Sequence, residues 1–569
     1  MNARPQGRRT LCQRAVGTRH VDIPTSLELR RDEVDDHLGD AGDDRLRHVH
    51  NPERVSGGLA PGPASVHRPQ PRLRTVHEAV DAGGSQFERP GGVAAPRSVS
   101  QNMAVSALAE VASKVSTFLL IVVAARSLDE SDFGAFAYAV AFSLLVITLV
   151  QWGFDSILER EGSADPRALP RLIAHSLCWR SIIAVPLFIV STVVQWQTRP
   201  SHEAALALVL VLLGTLVDSY SEVGRSVATA CQHQAGVALA QVCQRLTAAL
   251  VGIAALVAGL GLVGVAAGYL AGSLTGGILV LLATRRLGVR SDLRAVTRDG
   301  MRSMGRNASA VGFAALCSVL MLRLGPVLLG WWKRPEALAA FTVAFRLLET
   351  VLFASWAVRR AAFPVMSSTS DPARARASLQ QAISVVAVLY VPFAALVLLD
   401  APGILGAIFG DPYDRTATAA LRWLALAPLL YGTAHLTTFA LLARDRRAQL
   451  LRSSVIAALV GVTASCALIP PFGATGAAAA VTLSLATGAV VQLVQLRAAV
   501  GRIRITSVLA LPIAIALPVT ILLAATGLPT LIDGPVFALA YLPAWFLLAR
   551  RDPADTSAYA LLRRQAAST

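Results

Sequence analysis

A few charged side chains interrupt the long apolar segments of this chain, and these residues could do chemistry. Arg323 lies in one apolar segment, and Arg346 and Glu349 lie three residues apart in the next. An ionisable group inside a membrane-spanning helix is costly and marks a functional site by default. Arginine forks bind phosphate oxygens in pairs and stay charged when partly desolvated. We therefore predict a cationic cavity that suits phosphate, formed by Arg323, Arg346, Arg245, Arg180 and Lys114.

Acidic residues in the same segments suggest two further roles. Asp218 and Glu222 are four residues apart, so they share one helix face and repel each other unless a cation or proton intervenes. We predict them as ion-coupling candidates; the alternative is that both reach the headgroups from the inner end of their span. Glu349 and Glu110 are predicted to form structural ion pairs, Glu349 with Arg346 and Glu110 with Lys114 four residues on. Arg323 has no acid close to it in sequence, so it is the strongest candidate for substrate contact.

The composition places these residues in a membrane protein. The chain has 569 residues, of which 54% are apolar and only 15% are charged, whereas soluble proteins contain about 25% charged residues. Apolar runs of about 20 residues, the length that crosses a bilayer as a helix, recur along the chain. We predict an all-α polytopic membrane protein with about 14 transmembrane helices. The spans are 103–125, 133–153, 171–195, 203–223, 236–258, 262–284, 307–330, 337–358, 379–399, 417–441, 450–470, 474–496, 507–526 and 531–548.

The basic residues predict the orientation. The net charge is +16, and only Lys114 and Lys333 among the 52 basic residues are lysines. With residue 103 inside, basic residues are about five times as frequent in the inner connections as in the outer ones, as the positive-inside rule requires. The excess charge therefore reflects topology, and we expect no nucleic-acid partner. We predict a multi-pass protein of the plasma membrane with both termini cytoplasmic, and the arginine bias suggests a bacterial source.

The cysteines show no pattern of a metal site or a disulfide framework. No C-x-x-C spacing occurs, so we read them as small core residues and expect no metal and no cofactor. The six cysteines are Cys12, Cys178, Cys231, Cys243, Cys317 and Cys466.

Two sequence matches predict an internal repeat. Residues 138–145, YAVAFSLL, match residues 341–348, FTVAFRLL, and the pattern G-x-x-G-x-A-A recurs at 261–267 and 473–479. Both matches join spans of equal parity, so the fold class includes two parallel six-helix bundles plus two C-terminal helices, an alternating-access arrangement. The predicted domains are an N-terminal extension, two bundles and a tail: 1–100, 101–305, 306–500 and 501–569. The first of these is either disordered or a mis-annotated leader, because it is too polar to form a core.

Several motifs, in order, resemble one transporter family. Residues 124–137 (AARSLDESDFGAFA) resemble the first outer turn of polysaccharide-lipid flippases of the MOP (multidrug/oligosaccharidyl-lipid/polysaccharide) exporter superfamily. That family's R-x-D-x-x-x-L-G pattern is similar to Arg323 with Leu329-Gly330. Its Y-x-x-A-x-R-L-x-E pattern is similar to the stretch with Phe341, Arg346 and Glu349, and Pro364 matches its late proline. Residues 408–427, 441–446 and 469–480 resemble three later motifs. One departure is that Gly325 stands where the family often has Asp, so no role of that carboxylate carries over.

The resemblance implies a function without covalent chemistry. A family member would flip a polyprenyl-pyrophosphate-linked oligosaccharide from the inner to the outer leaflet for surface polysaccharide biosynthesis. Its partners would be the lipid-linked glycan, membrane lipids and a glycan polymerase or glycosyltransferases. The alternatives are a lipid II flippase, which the two extra spans allow, or a drug/cation antiporter, which the arginine-rich cavity disfavours. A membrane glycosyltransferase or ligase is disfavoured because no outer connection is long enough for a soluble domain.

Overall fold

The computed structural model describes residues 99–549 apart from 199–200, 232, 333, 370, 411–412 and 527–529. The regular structure of the described residues is helical throughout. The helices are α1 (Val99–Ser127), α2 (Glu130–Gln151), α3 (Phe154–Ala164), α4 (Leu169–Thr198), α5 (His202–Ala230), α6 (Gln234–Val257), α7 (Gly261–Arg286), α8 (Arg298–Trp331), α9 (Pro335–Ser368), α10 (Pro372–Phe409), α11 (Tyr413–Thr416), α12 (Thr418–Leu424), α13 (Ala427–Ala443), α14 (Arg447–Val500), α15 (Ile505–Thr526) and α16 (Thr530–Ala549).

Each of the fourteen predicted spans falls in helical structure, and the span 417–441 covers both α12 and α13. Within the described residues, eleven helical stretches are long and apolar enough to cross a membrane. One of them, α14, carries two predicted spans, because its backbone leaves the helical region at Gly473. The first and last predicted spans lie in α1 and α16. The predicted all-α polytopic fold is therefore confirmed.

Short polar caps start several of the long helices. The Asp129 carboxylate accepts a hydrogen bond from the backbone N–H of Asp132 at 2.7 Å and begins α2. The Thr297 hydroxyl does the same for Gly300 at 3.1 Å at the start of α8. Such caps satisfy backbone donors that a helix leaves unpaired at its first turn. The caps thus fix where α2 and α8 begin.

The long helices pack as two groups that meet along α2. Helices α1 and α4 to α7 contact mainly the helices of the first group, and α8 to α10 pack with α12 to α14. Helices α15 and α16 lie against α10. Helix α2 contacts both α8 and α9, so the inner face between the two bundles runs along these three helices.

The two bundles share local features at the positions that the sequence repeat predicts. Tyr138 stacks on Phe142 with ring centroids 5.7 Å apart, and Phe341 stacks on Phe345 at 5.3 Å. Gly261 and Gly473, which are equivalent in the repeat, have φ angles of +52° and +53°. A residue with a side chain is strained at such a positive φ, so both turns require glycine. A glycine with the same positive φ therefore occurs at the equivalent turn of both bundles.

Helix α3 was not predicted. Its residues fall in a stretch that the sequence assigns to a connection, but Phe154, Ile157 and Leu158 are buried on one face. The apolar side chains recur at one-turn spacing, as in an amphipathic helix lying beside a bundle. The predicted N-terminal extension, residues 1–100, lies outside the described residues except for its last two positions. The domain boundaries remain predictions.

Candidate functional site

Three charged side chains meet where α8 and α9 face the first bundle. The Arg323 guanidinium on α8 forms an ion pair with Oε1 of Glu349 on α9. The Arg346 guanidinium, one turn before Glu349, donates to its Oε2 at 2.9 Å. Each carboxylate oxygen therefore holds a different arginine, and the cluster carries one positive charge that no member of it balances.

The structure corrects one part of the sequence interpretation. The predicted Arg346–Glu349 pair is present, but Arg323 is not without an acid, because it shares the same carboxylate. Helix α9 follows α8 directly as a hairpin, which brings two residues 26 positions apart into contact. Glu349 thus positions both arginines.

The charged cluster, defined as Arg323, Arg346 and Glu349, borders a small cavity between the bundles. The cavity has a volume of about 50 Å³, and the first bundle contributes Ile121 of α1 and Phe133, Phe136 and Val140 of α2 to its wall. The three charged side chains keep 23%, 19% and 21% of their surface exposed. These guanidinium groups can therefore reach a ligand that enters between the bundles.

Gly325 occupies the position where the resembled family often has Asp. A Cβ atom added there would lie 3.3 Å from Cβ of Ala477 on α14. The turn of α8 after Arg323 thus faces a neighbouring helix at close range. This packing accounts for the small residue, and Glu349 is the carboxylate that Arg323 uses.

Aromatic side chains of α9 and α13 form a wall beside the charged cluster. The Trp356 indole donates to the Tyr431 hydroxyl at 3.1 Å, and the His435 ring stacks on Tyr431 at 5.6 Å. The Lys114 ammonium of α1 lies 5.6 Å from the Trp356 ring centroid, and Arg359 lies 4.4 Å from that of Phe439. We call Trp356, Tyr431, His435 and Phe439 the aromatic wall.

The aromatic wall was missed by sequence reasoning, although part of its signal was present. Tyr431, His435 and Phe439 recur at every fourth position, which places them on one helix face. Only the contact with α9 shows that this face meets Trp356. Lys114, predicted for the cationic cavity, is exposed and joins the wall from the first bundle. The side chain of Glu110, its predicted partner, lies outside the described part of the structure.

The end of the bundles opposite the basic connections is sealed by contacts between them. The Arg126 guanidinium donates to the carbonyl oxygens of Ala407 and Ile408 at 2.7 and 2.9 Å. The Phe133 and Tyr413 rings meet edge to face with centroids 6.1 Å apart. We call these contacts the outer seal, after the orientation that the sequence predicts. They join α1 to α10 and α2 to α11.

Arg180 does not line a cavity, contrary to the prediction. It is fully buried and forms an ion pair with Asp155 of α3. It also donates to the Ser219 hydroxyl at 3.0 Å. All of the Arg180 surface is used inside the first bundle, so it offers none to a ligand.

Asp218 and Glu222 belong to a chain of polar contacts that includes a built-in cation. Glu222 accepts from Arg225 at 2.9 Å, Arg225 donates to the Gln244 amide oxygen at 2.6 Å, and the Gln244 amide nitrogen donates to Asp218 at 2.7 Å. Arg225 thus supplies the positive charge between the two carboxylates that the sequence interpretation left to an ion or proton. Arg245 adds a second positive charge near Asp218. Its guanidinium therefore acts on this network within the first bundle.

The comparisons with known proteins agree with this architecture. A family model described as "Polysaccharide biosynthesis protein" matches residues 99–370. None of the curated proteins compared by sequence matches the chain.

The solved structures that the chain resembles are transporters. A structure titled "Lipid II flippase MurJ, inward closed conformation" matches with a TM-score of 0.66 and 14% identity, over 79% of this chain and 99% of that one. An inward-facing multidrug resistance MATE family transporter of the MOP superfamily matches with a TM-score of 0.56 and 16% identity, over 69% of this chain and 95% of that one. A eukaryotic MATE transporter matches with a TM-score of 0.53 and 14% identity, over 70% of this chain and 95% of that one. At these identities the likeness shows the fold.

The resemblance stated from the sequence motifs is therefore confirmed: residues 99–370 match the polysaccharide biosynthesis protein family, and the chain is a multi-pass membrane protein with the fold of MOP superfamily transporters.

Proposed function

We propose that this protein flips a polyprenyl-pyrophosphate-linked oligosaccharide from the inner to the outer leaflet by alternating access. The observation that carries the proposal is the pair of guanidinium groups held on one carboxylate between the bundles. A diphosphate carries more negative charge than Glu349 and offers more acceptor oxygens. It can therefore bind both arginines in bidentate fashion and replace the carboxylate contacts.

The aromatic wall suits the glycan part of such a substrate. Sugar rings present apolar C–H faces that pack on aromatic rings, while their hydroxyls require polar partners. Trp356 is 37% exposed and lies between the Lys114 ammonium and the Tyr431 hydroxyl. The charged cluster would bind the diphosphate while the wall packs against the first sugars.

The sealed outer end supports a cycle that begins from the inner leaflet. Arg126 and the Phe133–Tyr413 contact join the bundles at the outer end. Substrate would bind at the cluster and leave outward only after these contacts break, which is the order that alternating access requires. The topology with cytoplasmic termini in the plasma membrane, and cooperation with a glycan polymerase or glycosyltransferases, belong to the same proposal.

A lipid II flippase is the second candidate function. The match to the lipid II flippase structure extends over nearly the whole of that protein. Its substrate class shares the polyprenyl diphosphate, so the charged cluster serves both functions equally. The uncompensated positive charge of the cluster disfavours a drug/cation antiporter, because a cationic ligand would be repelled.

Reconstituted vesicles test the proposal. Purified protein is incorporated into vesicles that carry a fluorescent polyprenyl-pyrophosphate oligosaccharide, and a membrane-impermeant reductant reports which headgroups face outward. We expect the protected fraction to fall faster with the protein than in empty vesicles. The same assay with fluorescent lipid II separates the two candidates. Equal rates with and without the protein for both substrates would overturn the proposal.

A further inference from the structure

A second cavity lies between α4 and α8. It has a volume of about 870 Å³ and shares no lining residue with the cavity at the charged cluster. Its apolar wall includes Ile182, Pro186 and Val190 of α4, and two arginines of α8 lie at one end, Arg302 and Arg306. We propose that this groove binds one anionic phospholipid, with its phosphodiester on the two arginines and an acyl chain along α4.

The two arginines form a phosphate-binding fork. They are four residues apart on α8, so their side chains emerge on one helix face. Both are exposed, and within the described residues neither guanidinium forms an ion pair. Arginine is well suited to a phosphodiester because its planar donors match two phosphate oxygens. Two adjacent guanidinium groups at the end of an apolar groove are complementary to an anionic headgroup.

The apolar part of the groove has the length of one acyl chain in one leaflet. It runs along α4 from Trp179 to Val190, a rise of about 16 Å for an α-helix. Half of the hydrocarbon thickness of a bilayer is about 15 Å. The chain of a lipid whose phosphate lies at Arg302 and Arg306 would thus end near the far end of the groove.

The rim beside the arginines is fixed in position. The Trp179 indole donates to the carbonyl oxygen of Met301 at 2.9 Å and stacks on Phe154 at 5.9 Å. A Cβ at Gly305 would lie only 3.2 Å from the Trp179 ring, so the missing side chain lets α4 and α8 approach at this level. Tryptophan at the boundary between headgroups and chains is typical of membrane interfaces. The headgroup end of the groove is therefore preformed.

Tryptophan quenching in vesicles tests the site. The full-length protein is reconstituted in phosphatidylcholine with an increasing minor fraction of phosphatidylglycerol brominated on its acyl chains. Bromine near Trp152 and Trp179 quenches their fluorescence. We expect half-maximal quenching at a phosphatidylglycerol fraction about tenfold lower for the unmodified protein than for an Arg302→Gln/Arg306→Gln variant, which loses the charged contacts.

Matched variants distinguish a bound lipid from general attraction. Arg285→Gln/Arg286→Gln removes the same charge at the exposed end of α7, away from the groove, and should quench like the unmodified protein. Ile182→Phe narrows the groove at an exposed position without changing charge and should weaken quenching even if the arginine variant fails to fold.

Three outcomes would overturn the proposal. They are equal quenching by brominated phosphatidylcholine, identical curves for the unmodified protein and the Ile182→Phe variant, and displacement of the brominated lipid by inorganic phosphate. The first would show a general lipid contact, the second that no chain occupies the groove, and the third a site for free phosphate.

Discussion

The two bundles each contain an arginine–carboxylate cluster, and the two clusters differ in stoichiometry and in access. In the first bundle, Arg180 is fully buried and pairs with Asp155 alone. In the second, Arg323 and Arg346 share Glu349, and all three keep about a fifth of their surface exposed. One cluster can be neutral and closed, whereas the other keeps an excess positive charge and an open side. Charge balance and exposure, rather than the presence of a buried arginine, therefore distinguish the structural pair from the proposed ligand site.

Breaking the closed pair should have the largest effect on stability. Asp155→Asn leaves the Arg180 charge buried without a counter-charge, which costs about 3–5 kcal/mol. This approaches the whole stability of many domains. We expect low abundance in the membrane and a strongly lowered midpoint of thermal unfolding, measured by size-exclusion chromatography after heating.

Two controls sharpen that result. Glu161→Gln breaks the exposed Arg160–Glu161 pair on the same helix, and such pairs contribute at most about 1 kcal/mol. The double variant Asp155→Asn/Arg180→Met removes the buried charge and should recover much of the lost stability. An Asp155→Asn protein as stable as the unmodified one would contradict the structural role of the closed pair.

Removing an arginine from the open cluster should affect transport rather than stability. Arg323→Ala deletes one charge-assisted contact to the proposed diphosphate, worth about 1.5–3 kcal/mol. We expect the flipping rate in vesicles to fall by roughly 10- to 100-fold while membrane abundance stays normal. Arg452→Ala, at an exposed site at the start of α14, is the matched control. Wild-type transport by Arg323→Ala would refute the assignment.

Neutralising Glu349, the acid that both arginines share, should strengthen pyrophosphate binding but slow transport. Glu349→Gln leaves Arg323 and Arg346 without a counter-charge in a partly exposed cavity. We expect inorganic pyrophosphate to bind several-fold more tightly, measured by calorimetry, because the ligand no longer competes with a carboxylate. Flipping should slow, since release of the substrate becomes harder. Weaker pyrophosphate binding would show that Glu349 contributes only to the structure.

The smallest expected effect is at the aromatic wall. Trp356→Ala removes a stacking surface worth about 0.5–1.5 kcal/mol, so the rate for a glycan-bearing substrate should fall by roughly two- to tenfold. A polyprenyl diphosphate without sugars should be flipped at the unmodified rate. An equal loss for both substrates would place Trp356 outside the glycan contact.

Local spacing made part of this site predictable. The Arg346–Glu349 pair follows from a separation of three residues on a helix, and composition alone identified every long helix. The shared use of Glu349 by Arg323 could not be predicted, because it depends on how α8 and α9 are rotated about their axes. The same holds for the contact of Trp356 with Tyr431 across two helices.

The error on Arg180 has a separate cause. Its partner Asp155 lies on α3, which the sequence interpretation treated as a connection, so no acid was expected at that depth. Arg225 was likewise absent from the predicted site residues, whereas it bridges Glu222 and Gln244. In both cases a residue outside the predicted site provides the counter-charge.

The outer seal also bears on leakage through the unloaded protein. Arg126 binds carbonyl groups at the end of α10, which carry the negative end of that helix dipole and have no partner within the helix. A water-filled path past this point would require the guanidinium to lose both bonds. In the proposed transport cycle, the outer seal would therefore limit background permeability to protons and small ions until a substrate is bound.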